Sequence, residues 1–188
     1  MTITFDEVVR FHGHACPGLA IGFRMAQAGV EALSALRSGD EELVAIVENN
    51  SCGVDAVQCV TGCTLGKGNL MFRDWGKLAY TFYSRSSRRG VRITFQRNAV
   101  PEGLHDDREA FITWVLEAPA ALILQTQWVA IAEPEPARIY RSIPCERCDE
   151  LVMETRLQHC NGMLLCIPCA QQHGMQTEIL PNEQQKKG

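Results

Sequence analysis

The sequence predicts an α+β protein: a mixed core domain with an antiparallel hairpin and flanking helices, followed by a small C-terminal zinc finger. Three observations predict this fold class. Helix-like and strand-like stretches occur without the regular alternation of a doubly wound sheet. The nine cysteines of the 188-residue chain form two groups, separated by the cysteine-free stretch 64–144. Prolines at 134 and 136 interrupt the chain between the two groups.

The first half of the core is predicted to contain two helices and a strand. Apolar residues recur every three or four positions between Leu19 and Leu33, which is typical of one helix face, and Pro17 suits the first turn. The apolar run 43–47 is short and rich enough in β-branched residues for a buried strand. Valines at helical spacing within 54–60 predict a short second helix.

The second half of the core is predicted to contain a hairpin, a helix and a strand. Residues 77–84 and 91–97 alternate apolar with polar side chains around a glycine-containing turn, which indicates a hairpin. Residues 106–117 have helical spacing behind capping aspartates, and 128–132 predicts one more strand. We therefore expect a core domain over 1–132.

The domain boundary is predicted at the prolines. Residues 133–140 form a Pro-rich linker in this interpretation, because paired prolines continue neither a helix nor a central strand. The finger then occupies 141–180.

Charge and hydropathy exclude several classes of protein. With 18 Lys+Arg against 22 Asp+Glu, the net charge of −4 gives no global attraction to nucleic acid or to an anionic membrane. No apolar run approaches the roughly 18–20 residues of a membrane span, and the N-terminus lacks the features of a signal peptide. We expect a cytoplasmic protein, where cysteine clusters more often bind metal or catalyse than form disulfides.

The later cysteines have the spacing of a zinc site. Cys145 and Cys148 form one pair, Cys166 and Cys169 form another, and 17 residues separate the pairs. Four thiolates close the shell of a tetrahedral ion, which suits a structural role rather than catalysis. A module this small seldom buries enough surface to fold unaided, so the metal would supply much of its stability.

Other residues near the pairs are alternative ligands of the finger. Cys160, His159 and His173 are each weighed as substitutes and ranked lower, because none belongs to a two-residue spacing. Zinc modules of this size bind proteins or nucleic acids, or only stabilise the chain.

The earlier cysteines lie where polar loops meet predicted helices. His12, His14 and Cys16 directly precede the first predicted helix, whose N-terminus favours thiolate over thiol. Cys52 repeats this arrangement after the buried strand, and Cys63 follows the second helix in a glycine-rich loop. We expect the three loops to meet at one cleft.

These three loops carry motifs that resemble the family of formylmethanofuran dehydrogenase E-subunit-like proteins. The matching segments are His12-Gly13-His14-Ala15-Cys16-Pro17-Gly18, Asn50-Ser51-Cys52-Gly53-Val54-Asp55-Ala56 and Thr61-Gly62-Cys63-Thr64-Leu65-Gly66-Lys67-Gly68-Asn69, followed by Phe72-Arg73-Asp74 and Gly76-Lys77. The resemblance covers nearly all of the chain. It implies an α+β core, a C-terminal treble-clef zinc finger, and a homodimer in which the finger packs on the partner subunit's core.

The resemblance also implies a set of site residues. His14, Cys16, Cys52 and Cys63 would line the core's functional cleft, with Asp55 and Lys67 nearby. One departure is Asp149, where such knuckles often have glycine for a positive φ. The pterin chemistry implied by the family name is assigned to other subunits, so we treat subunit membership as a label.

Three hypotheses of function follow. The first is a metal-binding protein with an accessory role in metal or redox metabolism, holding structural zinc in the finger and a second transition metal in the core. The second is an enzyme that uses Cys16 or Cys52 as a nucleophile, or an open metal site. The third is a regulator whose finger contacts nucleic acid or protein. Soft thiolates with imidazole suit zinc, copper or iron in the core.

Overall fold

The computed structural model describes residues 3–35 and 37–177, with side chains as far as Gln172. The chain forms two compact units that meet between Ala137 and Arg138. The elements of the first unit are α1 (Phe5–His12), α2 (Pro17–Ala32), β1 (Leu43–Val47), α3 (Gly53–Thr61), β2 (Leu70–Phe72), β3 (Ala79–Ser84), β4 (Arg89–Phe95), α4 (Arg108–Glu117), α5 (Ala120–Ile123) and β5 (Leu124–Val129). Those of the second unit are β6 (Ser142–Pro144), β7 (Leu151–Met153), β8 (Leu157–Cys160), β9 (Met163–Cys166) and α6 (Ile167–Thr177).

The first unit is built on a five-stranded sheet in the order β2-β1-β3-β4-β5. β2 is parallel to β1, and the remaining neighbours are antiparallel. The predicted hairpin is β3 and β4, in which Ala79 pairs with Thr94 and Ser84 with Arg89. A mixed sheet of this kind with several helices confirms the predicted α+β class.

Helix α2 is the centre of the core and crosses α3 at glycine contacts. A Cβ on Gly22 would lie 2.3 Å from the Cα of Gly53, which is closer than any real contact. A Cβ on Gly29 would lie 2.1 Å from the Phe82 ring, so α2 also approaches β3 closely. These glycines let two helices and the sheet pack with almost no space between backbones.

Most predicted elements of the first unit are confirmed. Helix α2 begins at Pro17, and β1 has the predicted bounds of 43–47. Helix α3 ends at Thr61 and is capped by Gly62, which has a φ of +74°. Asp107, rather than Asp106, caps α4, where its side chain accepts from the Ala110 N–H.

The last strand was predicted at the wrong place. The sequence predicts a strand over 128–132, whereas β5 runs over Leu124–Val129. The reason is that β5 is an edge strand whose Gln125, Thr126 and Gln127 are all exposed. Its side chains therefore show no alternation of apolar and polar residues.

The segment 133–137 is hydrogen-bonded to the first unit. Arg85 donates to the carbonyl groups of Pro134 and Glu135, and the Ala137 N–H donates to the Glu41 carboxylate. These bonds hold the first part of the predicted linker against the loops that flank β1 and β3.

The second unit consists of two short hairpins and a helix. β6 pairs with β7 and β8 pairs with β9, both antiparallel. Asn161 and Gly162 make the turn between β8 and β9 with φ values of +50° and +84°, as expected for a tight hairpin. Residues 178–180 of the predicted finger lie outside the described residues. Within the described part of the chain, none of the helices has the length and apolar character that crossing a membrane requires.

Candidate metal centres

The four predicted finger cysteines come together in the second unit. The Sγ atoms of Cys145, Cys148, Cys166 and Cys169 all lie within 4.8 Å of one another. Asp149 adopts a φ of +60° in the first knuckle, so aspartate takes the conformation for which glycine is common there. Cys160 is outside this cluster, and the side chain of His173 lies outside the described residues.

Backbone donors and crowding set the thiol pKa values of the finger. N–H groups of Cys166, Cys148 and Arg147 point at Cys145 and lower its pKa to about 6. The neighbouring Cys166 thiol, desolvation and the other cysteines raise the pKa of Cys169 to about 12. Four thiols this close cannot all be ionised without a cation, because the thiolates would repel one another. A bound cation offsets this repulsion.

A second cluster of metal-binding type lies at the junction of α1 and α2. One ring nitrogen from each of His12 and His14 and the Cys16 Sγ lie within 4.8 Å of one another. Helix α1 ends at His12, and Gly13, with a φ of +101°, turns the chain back towards α2. Cys16 is the N-cap of α2, and its sulfur accepts from the Leu19 N–H at 3.3 Å.

Asp55 orients the imidazole of His12. The Nδ1 atom of His12 lies 2.7 Å from an Asp55 carboxylate oxygen. Because the carboxylate accepts the Nδ1 proton, Nε2 is left with a free lone pair. This Nε2 atom is buried and has no hydrogen-bond partner among the described residues. An imidazole held by a carboxylate in this way is the usual arrangement of a metal-ligating histidine.

Cys52 adjoins the cluster without belonging to it. Burial, followed by contact with Cys16, raises the pKa of the Cys52 thiol. The sequence argument that α3 stabilises a Cys52 thiolate is wrong, because Cys52 has helical φ and ψ angles of −49° and −30° and its side chain makes no cap hydrogen bond. Cys52 is therefore a thiol of raised pKa beside Cys16.

The structure does not bring Cys63 or Lys67 to this cluster, which corrects the predicted core site. Helix α3, nine residues long, spans about 14 Å at 1.5 Å per residue, and Cys63 follows its far end. The Cys63 thiol is fully buried and donates to the Leu43 carbonyl. The Lys67 ammonium donates to the carbonyl groups of Ser38 and Gly39.

The glycine-rich loop around these two residues therefore has a structural role. Asn69 is fully buried, donates to the Leu43 carbonyl and accepts from the Thr64 N–H. Ser38 is also buried, and its hydroxyl accepts from the Leu43 N–H. These bonds fix the loop before β1 and satisfy its polar groups.

Sequence reasoning missed His12 as a member of the cluster because it missed α1. The signal was present: Thr4 and Glu7 form a capping box, in which each side chain accepts from the other's backbone N–H. This box predicts a helix that begins at Phe5 and reaches His12 after two turns.

The arginines of the hairpin do not form one free basic face. Arg92 makes a bidentate ion pair with the buried Glu48. Arg85 binds the segment 133–135, and the Arg89 Cζ lies 3.7 Å from the centre of the Trp128 ring. These contacts engage three of the hairpin's arginines within the first unit.

Together, the fold and the two clusters define the class of the protein: an α+β core with a His/Cys cluster, joined in one chain to a four-cysteine module, both able to hold a metal ion. Residues 11–125, more than half of the chain, match the family model described as "FmdE, Molybdenum formylmethanofuran dehydrogenase operon". The chain belongs to the FmdE family, which confirms the resemblance that its motifs predict.

A solved structure supports the same family. The crystal structure of a tungsten formylmethanofuran dehydrogenase FmdE-like protein from Syntrophus aciditrophicus is similar, with a TM-score of 0.69 and 26% sequence identity. The similarity covers 92% of this chain and 94% of that chain.

A curated relative from Archaeoglobus fulgidus is 34% identical over 189 residues and is described as a probable S-adenosyl-L-methionine-binding protein. The match covers 85% of this chain and 50% of the relative. The chain thus spans about half the length of the curated relative that it matches.

Proposed function

We propose that this FmdE-family chain is a metal-binding protein with two different centres. The finger holds zinc through Cys145, Cys148, Cys166 and Cys169 as a structural ion. The core holds one transition-metal ion through His12, His14 and Cys16. We assign the chain an accessory role in metal or redox metabolism. All nine cysteines are free, which fits a reducing compartment such as the cytoplasm.

The observation that carries the core assignment is the unpaired Nε2 of His12. A buried polar atom without a partner costs about 1–3 kcal/mol, and the Asp55 contact leaves this nitrogen as an acceptor only. A metal cation would satisfy this nitrogen. It would also explain why a second imidazole and a thiol lie beside it, which a water molecule or a backbone N–H would not. The mixture of imidazole and thiolate ligands favours zinc, copper or iron over magnesium.

The two centres differ in what they can do chemically. Four thiolates fill a tetrahedral shell, so the finger has no position for a substrate. With three protein ligands, a four-coordinate metal held by His12, His14 and Cys16 would keep one position for a water molecule or a small ligand, which it would polarise. The protein side of the core then supplies Asp55 to orient His12, with Cys52 beside Cys16.

Elemental analysis of full-length protein, purified without added metal, tests the proposal. We expect two metal equivalents per chain in the wild type and one in His14→Ala, because His14 is exposed and its removal leaves the fold intact. His12→Gln should lose the same equivalent.

Cys63→Ser is the matched control and should keep both equivalents, because Cys63 lies beyond the far end of α3. Two equivalents in His14→Ala and in His12→Gln would refute the core centre. Loss of the core metal in Cys63→Ser with an unchanged fold would restore Cys63 as a ligand.

A second candidate function is binding of S-adenosyl-L-methionine, which the 34% identity to the Archaeoglobus fulgidus relative favours. Calorimetric titration of this compound into metal-loaded protein tests it, with S-adenosyl-L-homocysteine as a second ligand. Absence of binding at millimolar concentration would exclude this candidate function for the chain.

We also propose a homodimer in which the finger packs on the partner subunit's core, as the family resemblance implies. A module of about 40 residues has little apolar surface of its own to bury. Light scattering should give twice the 20.9 kDa mass of one chain. A single species of 20.9 kDa at micromolar concentration would exclude the dimer.

A further inference from the structure

Two cysteines that precede different helices lie side by side in the core. Cys16 directly precedes α2, and Cys52 directly precedes α3. The Cys52 thiol lies beside Cys16, and both residues belong to one apolar cluster, in which Cys16 is buried and Cys52 is packed against the buried members. The proposed metal centre uses Cys16 as a ligand but not Cys52, so the pairing of the two thiols needs its own explanation.

Glycine contacts between α2 and α3 keep the two cysteines close. The backbones of the helices touch where Gly22 meets Gly53, the residue that follows Cys52. Nearer to the start of α2, a Cβ on Gly18 would lie 3.7 Å from the Cβ of Cys52. The Cβ atoms of disulfide-bonded cysteines are about 3.5–4.5 Å apart. The start of α2 therefore approaches Cys52 as closely as the two halves of a disulfide approach each other.

The side chain of Cys52 is able to turn towards Cys16. It makes no hydrogen bond as the cap of α3, whereas the Cys16 sulfur is positioned by the Leu19 N–H at 3.3 Å. Cys52 is also half-buried rather than enclosed, so a small oxidant can reach it from the surface. Partial exposure beside a second sulfur is typical of cysteines that react with oxidants.

The other cysteines of the first unit are poorer partners for Cys16. Cys59 belongs to the same helix but lies about two turns beyond Cys52, which is roughly 10 Å at 1.5 Å per residue. Cys63 follows the far end of α3, where its fully buried thiol donates to the Leu43 carbonyl. Cys52 is therefore the partner that the fold places within reach of Cys16.

We propose that Cys16 and Cys52 form a reversible disulfide, and that its formation withdraws the Cys16 sulfur from the core metal. The withdrawal rests on the metal centre proposed above, whereas the disulfide does not. With a peroxide as the oxidant, two S–H bonds and the O–O bond break, one S–S bond and two O–H bonds form, and two water molecules leave. When Cys16 is a metal-bound thiolate, solvent supplies the proton that it lacks. A dithiol reverses the reaction by exchange and itself becomes a disulfide.

Peptide mapping after graded oxidation tests the pair. Full-length, reduced, metal-loaded protein is treated with increasing hydrogen peroxide, its remaining thiols are blocked with N-ethylmaleimide, and linked peptides are identified by mass spectrometry without reduction. A link between Cys16 and Cys52 should appear at lower peroxide than oxidation of the finger cysteines, because zinc would hold those four in a closed shell. Dithiothreitol should remove the link and restore both thiols.

Cys52→Ser and Cys59→Ser are the matched variants, since both replace a half-buried cysteine. Cys59→Ser should form the link as the wild type does, and Cys52→Ser should leave Cys16 without a disulfide. In the wild type, oxidation of the finger cysteines while Cys16 and Cys52 both stay free, or a link from Cys16 to a different cysteine, would overturn the pair. This comparison uses the wild type alone, so it decides the question even if a variant fails to fold.

Metal content measured on the same samples separates this inference from the proposed function. The linked protein should lose the core equivalent and keep the finger zinc. His14→Ala, which should lack the core ion, should form the link at lower peroxide than the wild type does. Linked protein that keeps its core metal would overturn the withdrawal of Cys16. If the reduced wild type holds no core metal, the proposed function fails and the mapping still decides the disulfide, whereas a core metal without any link overturns this inference alone.

Discussion

The two cysteine-containing clusters differ in where their ligands come from. The four sulfurs of the finger come from cysteines within 25 consecutive residues. Three of these cysteines are buried and one is exposed. The core cluster takes His12, His14 and Cys16 from five consecutive residues between α1 and α2, but it needs Asp55 from α3 to orient one of them. The finger is thus defined by its ligands alone, whereas the core centre depends on the packing of three helices.

Because of this difference, we expect metal loss to affect the two units differently. Removing the proposed zinc from the finger should take away most of what holds two short hairpins together, since its apolar core has Leu165 and Ala170 as its buried members beside the cysteines. Removing metal from the core leaves a sheet and its helices with a large apolar core of their own. The following experiments test this contrast, starting with the largest expected effect.

Replacing Cys166 by Ser should unfold the second unit and leave the first intact. Cys166 is a buried sulfur of the four-cysteine cluster, and three ligands cannot hold a structural zinc tightly. Hydrogen exchange should show loss of protection beyond residue 138 together with loss of one zinc per chain.

Cys160→Ser is the control for that variant, because Cys160 lies outside the cluster. Full zinc content and full protection in Cys166→Ser would show that the four sulfurs do not form the site.

Asp55→Asn should weaken core metal binding about 10- to 100-fold while leaving the finger zinc in place, since the amide no longer accepts the His12 Nδ1 proton as a carboxylate does. Competition with a chromophoric chelator measures the affinity. Gln58→Ala removes a neighbour of Asp55 but retains its carboxylate, and it should bind metal nearly as the wild type does. An unchanged affinity in Asp55→Asn would mean that Asp55 has only a packing role.

Zinc binding to the finger should be strongly pH-dependent. The backbone N–H of Glu150 lowers the pKa of Cys148, but desolvation and neighbouring cysteines outweigh it, so the pKa is raised. The pKa of Cys169 is also raised, to about 12, whereas Cys145, with a pKa of about 6, is already a thiolate at neutral pH. Zinc must therefore displace at least two protons, and its affinity should fall about 100-fold for a decrease of roughly one pH unit near neutrality.

Calorimetry in buffers of different ionisation enthalpy counts the protons directly. Release of less than about one proton per zinc near neutral pH would contradict this charge distribution.

Local sequence patterns predicted the elements whose residues face a single environment. The run 43–47 lies on a strand buried on both faces, and α2 has one continuous apolar face, so both were found with nearly correct bounds. The edge strand β5 was predicted too far along the chain, because polar side chains occupy both of its faces. Helix α1 was missed although its segment has both a capping box and apolar residues at helical spacing, Phe5, Val8 and Val9; it is only eight residues long.

The core site could be predicted only in part, because three motifs that follow one another in sequence do not all meet in space. His14, Cys16 and Cys52 lie at the N-terminal ends of helices that cross there, whereas Cys63 and Lys67 are carried away by the length of α3. The role of Asp55 depended on His12, and the position of His12 depended on the turn at Gly13. The spacing of these residues along the sequence does not determine the distances between their side chains.

The glycine crossing of α2 and α3 has a consequence for protein engineering. Cys16 and Cys52 are neighbours because Gly22 and Gly53 let two helix backbones touch, and neither glycine offers a ligand. Transplanting the His-x-His-x-Cys loop onto another helix pair would therefore reproduce its chemistry only if both glycines were transferred with it. A single methyl group at Gly22 would overlap the backbone of Gly53, which would spread the helices and move the two sulfurs apart.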